Sequence, residues 1–156
     1  VDDLQARVIV ELGPGTGVLT RHALERMRPA AKLVAIEISA DFVEVLRKEL
    51  PDPRLYIHHG SATEIEAAPA QVGESKADLV MSGIPFSTLE HGVGFATLQA
   101  AKRVLGPGGR FVAYQFRSKV KDLGEPVFGA RPETHSGFWN VPPMKIYVWR
   151  QREALA

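Results

Sequence analysis

A strand that runs directly into a glycine-rich turn constrains the fold of this chain more than any other feature of its sequence. Residues 8–17 read Val-Ile-Val-Glu-Leu-Gly-Pro-Gly-Thr-Gly. Glycines allow a sharp turn and let a ligand approach where a Cβ would clash. The spacing is G-x-G-x-G, because Val18 stands where the dinucleotide fingerprint requires its last glycine. With the acid Glu11 before it, the turn favours a small ligand with a cationic amino-acid tail over a pyrophosphate.

Apolar runs alternate with segments of helical period, which predicts repeated β–α units around a mostly parallel sheet. The predicted strands are residues 7–12, 33–38, 54–58, 78–82, 110–116, 134–140 and 144–149. The predicted helices are 18–28, 42–50 and 88–105, with Ser39 as an N-cap and with Ser61–Glu64 and Ser87–Glu90 at capping-box spacing. The last two strands are joined so closely that they should pair antiparallel. We expect one α/β domain over residues 1–156, with a seven-stranded Rossmann-like sheet that ends in a C-terminal antiparallel hairpin.

Composition and charge exclude several classes of function. Hydrophobic residues make up 45% and charged residues 24%, as in an ordinary globular domain. The chain has no cysteine, and the adjacent His58 and His59 point to opposite sides of a strand, so we predict no metal site. A net charge of +1 gives no reason to expect a nucleic-acid partner. No apolar run reaches the roughly 18 residues of a membrane span and no signal peptide precedes the first strand, which predicts a cytoplasmic protein.

A second acid, Glu37, ends the second predicted strand. A carboxylate there can accept hydrogen bonds from both hydroxyls of a ribose, because it offers two acceptor oxygens at a fixed separation. A glycine turn alone is compatible with an α/β domain that binds no nucleotide. The turn, the acid before it and the acid on the second strand together predict a nucleoside cofactor.

These features resemble motif I of the class I S-adenosylmethionine-dependent methyltransferases, and the resemblance covers essentially the whole chain. It implies that Glu11 and the turn hold the methionine end, that Glu37 holds the ribose, and that residues 59–62 contact the adenine. Ser61 replaces the usual aspartate of that segment, and its capping role with Glu64 is an equally good reading. Such a fold usually begins with a helix, which leaves open a missing N-terminal segment. The expected cofactor contacts are Glu11, Gly13, Gly15, Thr16, Gly17, Glu37, Ile38, Ser61, Ala62 and Ser82.

The loop after the fourth strand should hold the methyl acceptor. In amino-methylating DNA and RNA enzymes it begins with Asn or Asp, and here that position is Ser82, which counts against a nucleobase. The loop and the closing segment 139–150 resemble the bacterial phospholipid N-methyltransferases, which convert phosphatidylethanolamine to phosphatidylcholine and release S-adenosylhomocysteine. This resemblance implies a phospholipid partner and a position at the inner face of the membrane. The expected substrate contacts are Gly83, Ile84, Pro85, Phe86, Arg117 and Lys119.

The amine must arrive neutral, so an acceptor or a water path must take its proton. His91 and Tyr114 are the candidates. A solvated histidine at a helix start and a core aromatic are the competing interpretations. Tyr114 and Phe86 could instead contact a methylated ammonium through their rings.

Three other functions compete with lipid methylation. An enzyme similar to the rRNA adenine N6-dimethyltransferases would share the Ile-Pro-aromatic loop, but Ser82 and the near-neutral charge oppose it. A methyltransferase for a small metabolite or a protein is compatible with the fold. The intact motif I opposes a non-catalytic binding module. The sequence does not determine the oligomeric state.

Overall fold

The computed structural model describes residues 5–90, 92–137 and 143–153. Its strands are β1 (Val8–Leu12), β2 (Lys32–Glu37), β3 (Leu55–His59), β4 (Ala77–Ser82), β5 (Leu105–Gln115), β6 (Glu133–Gly137) and β7 (Met144–Arg150). Its α-helices are α1 (Val18–Arg26), α2 (Ala40–Glu49), α3 (Val93–Val104) and α4 (Lys119–Phe128). Short 3-10 helices span Ala62–Ala67, Pro69–Val72 and Phe86–Thr88. No helix in the described ranges is long and apolar enough to cross a bilayer.

The strands form one sheet in the order β3-β2-β1-β4-β5-β7-β6. The first five are parallel, and β7 is antiparallel to both β5 and β6. This confirms the predicted fold class and the predicted hairpin. The order reverses between β1 and β4, and in such sheets ligands bind at the carboxyl ends of the strands beside that reversal. The glycine turn after β1 and the loop after β4 therefore lie side by side.

An aromatic cluster attaches α4 and the hairpin to the sheet. The ring of Trp149 on β7 lies 5.4 Å from that of Phe128 and 6.0 Å from that of Phe111, measured between centroids. The Trp149 Nε1–H donates to the Ala130 carbonyl at 3.0 Å, so the indole is both packed and satisfied. A Cβ on Gly124 would lie 2.5 Å from the Trp149 ring, and the glycine therefore lets α4 approach this closely.

Several predicted boundaries are wrong. Helix α4 was not predicted, because Gly124 and Pro126 interrupt its helical pattern. The predicted helix 88–105 begins at Val93 with Gly92 as its N-cap, so the Ser87–Glu90 pair caps no helix. By contrast, the Ser39 cap and the Ser61–Glu64 capping box are both present. Residues 138–142, which include the end of the predicted sixth strand, lie outside the described residues.

Candidate active site

Three glycines with left-handed backbone shape the turn after β1. Their φ angles are 67° at Gly13, 57° at Gly15 and 86° at Gly17, a region that other residues adopt only with strain. A Cβ on Gly13 would lie 2.8 Å from Ile84 Cγ1, and one on Gly17 would lie 2.8 Å from Leu46 Cδ2. A Cβ on Gly15 would meet no atom within 4 Å in the part of the chain that the structure describes. The outer two glycines allow close packing, whereas Gly15 faces open space that a ligand can fill.

Glu37, the last residue of β2, accepts a hydrogen bond from this turn. Its side chain is only 5% exposed, and its Oε2 accepts from the Gly15 N–H at 3.0 Å. Its Oε1 accepts from the Ser39 N–H at 2.9 Å, at the start of α2. Two carboxylate oxygens offer about four lone-pair sites, so two of them remain for other donors. Glu37 thus orients the turn and keeps capacity for the two hydroxyls of a ribose.

Glu11 lies beneath the turn on β1 and is 1% exposed. Its Oε2 accepts from the Thr20 hydroxyl at 2.6 Å, while its buried Oε1 has no hydrogen-bond partner among the described residues. Burial raises the pKa of Glu11 to about 7, the Thr20 hydrogen bond lowers it in part, and the charge of Glu37 raises it further. A buried oxygen without a partner is costly, and an ammonium group would satisfy it.

The described residues therefore fit S-adenosylmethionine. Glu11 offers an unpaired acceptor for the amino group, the space at Gly15 admits the ligand, and Glu37 retains acceptors for the ribose. Ile38, directly after Glu37, is 72% exposed and offers an apolar surface to an adenine ring. Thr16 is exposed at the tip of the turn.

The segment expected to contact the adenine forms hydrogen bonds within itself at the start of the 3-10 helix Ala62–Ala67. The Ser61 hydroxyl accepts from the Thr63 N–H at 3.3 Å, and the Glu64 carboxylate accepts from the Ser61 N–H at 2.5 Å. The capping interpretation of Ser61 is thus confirmed. Ala62, next along the chain, is half-buried, and contact of Ser61 or Ala62 with adenine stays a prediction.

The loop after β4 contacts the glycine turn directly. The Gly83 N–H donates to the Leu12 carbonyl at 3.1 Å. Ser82 is fully buried and its hydroxyl accepts from the Ile84 N–H at 3.2 Å, so this side chain braces its own loop. The ring of Phe86 is 2% exposed and packs in the core, which leaves it unable to face an ammonium. Gly83 and Pro85 are the exposed positions.

Three of the four remaining predicted residues lie at or beyond the end of β5. Tyr114 on β5 is half-buried, and its pKa is raised by burial and then by the charge of Glu11. Its phenol stays protonated near neutral pH and is a poor proton acceptor. Arg117 and Lys119 are exposed beyond the end of β5. His91 lies outside the described residues, and its role stays a prediction.

A cavity of about 920 Å³ lies along one face of the sheet rather than over the glycine turn. Residues of α1 and of β4 to β7 line it, both apolar ones such as Leu79 and Val148 and charged ones such as Arg110. The polar groups that could recognise a nucleoside converge at the turn, and the turn rather than this cavity could therefore hold the cofactor. In the part of the chain described, acidic and histidine side chains form no group of three or more able to hold a metal ion.

Sequence reasoning missed two buried polar residues at the site. Thr20 lies in the first turn of α1. Only its position on the buried face of this helix could have indicated its contact with Glu11. Gln115 ends β5, is 4% exposed, and hydrogen-bonds to the loop after β4. A glutamine among apolar residues in a buried strand was a visible signal for the second.

Comparisons with known proteins show the family to which this chain is related. A family described as a methyltransferase domain matches residues 9–109. An ornithine lipid N-methyltransferase of Singulisphaera acidiphila is 31% identical over 93% of this chain and 76% of its own length. A ribosomal RNA small subunit methyltransferase A of Laribacter hongkongensis is 44% identical over 40% of this chain, which spans 22% of that protein. The N-methyltransferase NodS from Bradyrhizobium japonicum superposes with a TM-score of 0.75 at 13% identity over 95% of this chain and 87% of that one, which shows a shared fold.

Glu37 should dominate affinity for the cofactor. We expect S-adenosylmethionine to bind with a Kd in the micromolar range, and Glu37→Ala to weaken binding at least about tenfold, because it removes hydrogen bonds to a charged acceptor. Isothermal titration calorimetry measures this. Glu44→Ala, an exposed acid on α2, is the matched control and should bind like the parent. Equal binding by Glu37→Ala would refute the assignment.

Glu11 should make the ligand-free fold less stable as the pH rises. Its folded pKa of about 7 exceeds the ordinary 4.5, so its contribution to stability is complete below pH 4.5 and is lost as the pH rises through 7. Relative to Glu11→Gln, the parent should lose about 3 kcal/mol of unfolding free energy over this range. Urea unfolding at pH 5 and pH 8 tests this, and parallel pH dependence in the two proteins would contradict it.

Proposed function

The chain belongs to the class I S-adenosylmethionine-dependent methyltransferase family, and from that premise we propose that it transfers methyl groups to the primary amine of a membrane-lipid headgroup. Phosphatidylethanolamine, methylated stepwise towards phosphatidylcholine, and ornithine lipid both carry such an amine. S-adenosylhomocysteine is the other product.

The structure of the acceptor loop is the observation that carries the proposal. A nucleobase amino group is planar and is held in other enzymes by an Asn or Asp side chain. In this loop Ser82 is turned into the core and Gly83 has no side chain, so neither can supply a carboxamide or carboxylate. An aliphatic amine is a strong nucleophile once neutral and needs no such acceptor. The exposed backbone at Gly83 leaves room for a tetrahedral nitrogen.

Similarity to a lipid-modifying enzyme supports the same class of acceptor. The relative from Singulisphaera acidiphila is named for N-methylation of ornithine lipid, and the match extends over nearly the whole of this chain. The match to the ribosomal RNA enzyme is confined to a shorter segment. We therefore favour a lipid amine and treat RNA as the rival acceptor.

The protein's task in this reaction is alignment and exclusion of water. When bound, S-adenosylmethionine supplies a methyl group on a sulfonium, which is already an activated electrophile. Glu11, Glu37 and the glycine turn would fix its position. The neighbouring loop would place the amine in line with the bond that breaks, since a well-aligned pair of reactants gains most of the available rate. The amine nitrogen would form the new bond to the methyl carbon, and the sulfur would keep the electron pair of the bond that breaks.

The proton of the incoming ammonium must leave before each transfer. Tyr114 is unsuited to take it, because its raised pKa keeps the phenol protonated. A protonated phenol can still orient the amine by hydrogen bonding or contact a methylated ammonium with its ring. His91 stays the candidate proton acceptor from the sequence.

The rim beyond β5 suits a lipid surface. Phe116 is 60% exposed beside Arg117 and Lys119, and no ion pair of the described residues involves these two cations. Lys121, the third cation of this run, pairs with Glu125 at 3.9 Å. A cation near anionic lipid contributes about 1 kcal/mol. We propose that the rim binds a lipid phosphate or the inner face of the membrane.

An acceptor assay tests the proposal. The protein is incubated with methyl-labelled S-adenosylmethionine and, in separate arms, vesicles of phosphatidylethanolamine, vesicles containing ornithine lipid, or ribosomal RNA. We expect label in one or both amine-bearing lipids, as mono- and then multiply methylated species, and none in RNA. Vesicles of phosphatidylcholine, whose nitrogen is fully methylated, are the matched control.

Labelling of RNA without lipid would replace the proposal with the rival function. An absence of label in both lipids, from a sample that binds S-adenosylmethionine, would refute lipid methylation and leave the family assignment intact.

A further inference from the structure

We infer that Gln115 is a positioning residue that holds the acceptor loop, Ser82–Phe86, in the geometry needed for transfer. The inference rests on the proposed function, because it takes this loop as the place where the amine binds. Gln115 is the last residue of β5 and is 4% exposed.

The side chain of Gln115 binds the loop on both sides of Pro85. Its Nε2 donates to the Ile84 carbonyl at 2.7 Å. Its Oε1 accepts from the Phe86 N–H at 3.2 Å. The second Nε2 hydrogen is directed to the Tyr114 carbonyl at 2.8 Å, so both donors and the acceptor of the amide are used. One side chain thus fixes the peptide group before Pro85 and the peptide group after it.

The loop needs such a side chain because its own backbone cannot supply these bonds. Pro85 has no N–H, and the loop has left the β4 ladder. The Pro85 carbonyl is held separately by the Thr88 N–H at 2.9 Å. Without Gln115 the Phe86 N–H, beside a buried ring, would lack its partner, and a buried unpaired donor is costly. The Gln115 side chain therefore supplies the hydrogen bonds that a neighbouring strand would otherwise supply to this loop.

Alternation along β5 explains why Gln115 can reach the loop. Phe111 and Ala113 face the layer of α3 and α4, whereas Tyr114 packs against the opposite face of the sheet. Gln115 lies two residues after Ala113, so its side chain points to the same face of the sheet. It therefore enters the layer where Phe86 is buried. Tyr114 and Gln115 thus face opposite sides of the sheet.

The acceptor loop lies in direct contact with the glycine turn, so a shift of the loop would change the distance between the acceptor and the methyl donor. Gly83 is bonded to the Leu12 carbonyl, and a Cβ on Gly13 would lie only 2.8 Å from Ile84 Cγ1. The acceptor and the methyl donor are therefore held by two backbone segments in contact. A misplacement of about 1 Å between reactants costs about 100-fold in rate. Loss of the Gln115 hydrogen bonds should slow transfer, while the glycine turn stays intact.

The variant Gln115→Met tests this role, because methionine has nearly the same shape and cannot form the hydrogen bonds. We expect kcat/KM for the lipid amine to fall by about 30-fold, within the range that such misplacement produces, and the Kd for S-adenosylmethionine to change less than about threefold. Thr97→Val is the matched control. It removes another buried hydrogen bond, from the Thr97 hydroxyl to the Val93 carbonyl at 2.8 Å inside α3, and should leave both quantities unchanged.

A second measurement is independent of the acceptor's identity. Hydrogen exchange of the Phe86 amide, followed by NMR, should become faster in Gln115→Met and stay slow in the parent and in Thr97→Val. An unchanged rate would overturn the proposal, as would full activity in Gln115→Met or an equal loss of cofactor affinity. If the parent itself methylates no lipid amine, the proposed function fails, and the amide exchange still decides whether Gln115 holds the loop.

Discussion

The contact between the turn after β1 and the loop after β4 is the constraint on which the rest of the site depends. Gly13 lies against Ile84 with no space for a Cβ, and Gly83 is hydrogen-bonded to the last residue of β1. The sheet order makes β1 and β4 neighbours, so both segments emerge at the same edge. A methyl donor held by one segment and an acceptor held by the other would meet without any further structural device.

Two carboxylates give the cofactor turn its shape and its charge. Glu37 is engaged by backbone N–H groups in the ligand-free protein, which keeps the turn open towards a ligand. Glu11 is buried with one oxygen unpaired, and its raised pKa expresses the cost of burying a charge. A cationic ligand would relieve that cost. Without a ligand, Glu11 therefore carries the energetic cost of a buried, unpaired oxygen, whereas Glu37 is already held in position by its hydrogen bonds.

The sheet and the cofactor turn could be predicted from the sequence because they depend on local signals. Strands buried on both faces appear as apolar runs, and the glycine spacing with its two acids is specific. Helix α4 could not be predicted, since Gly124 and Pro126 weaken its pattern and only packing against Trp149 requires the glycine.

The loop after β4 was predicted at the right place in the chain, but the direction of its side chains was not predicted. As an aromatic residue, Phe86 was a candidate for contact with an ammonium, but its ring is buried in the hydrophobic core. Ser82 was expected at the ligand, yet it braces the loop. A glutamine in an apolar strand stands out in the sequence, but its partner in the acceptor loop lies 31 residues away, and no local pattern identifies that partner.

A crystal structure of the protein with S-adenosylhomocysteine is the most direct test of this account. We predict the ligand on the turn of residues 13–17, with its amino group at Glu11, its ribose hydroxyls at Glu37 and its sulfur facing Gly83. A ligand found instead in the cavity along β4, β5 and β7, or a turn closed by its own side chains, would contradict the account.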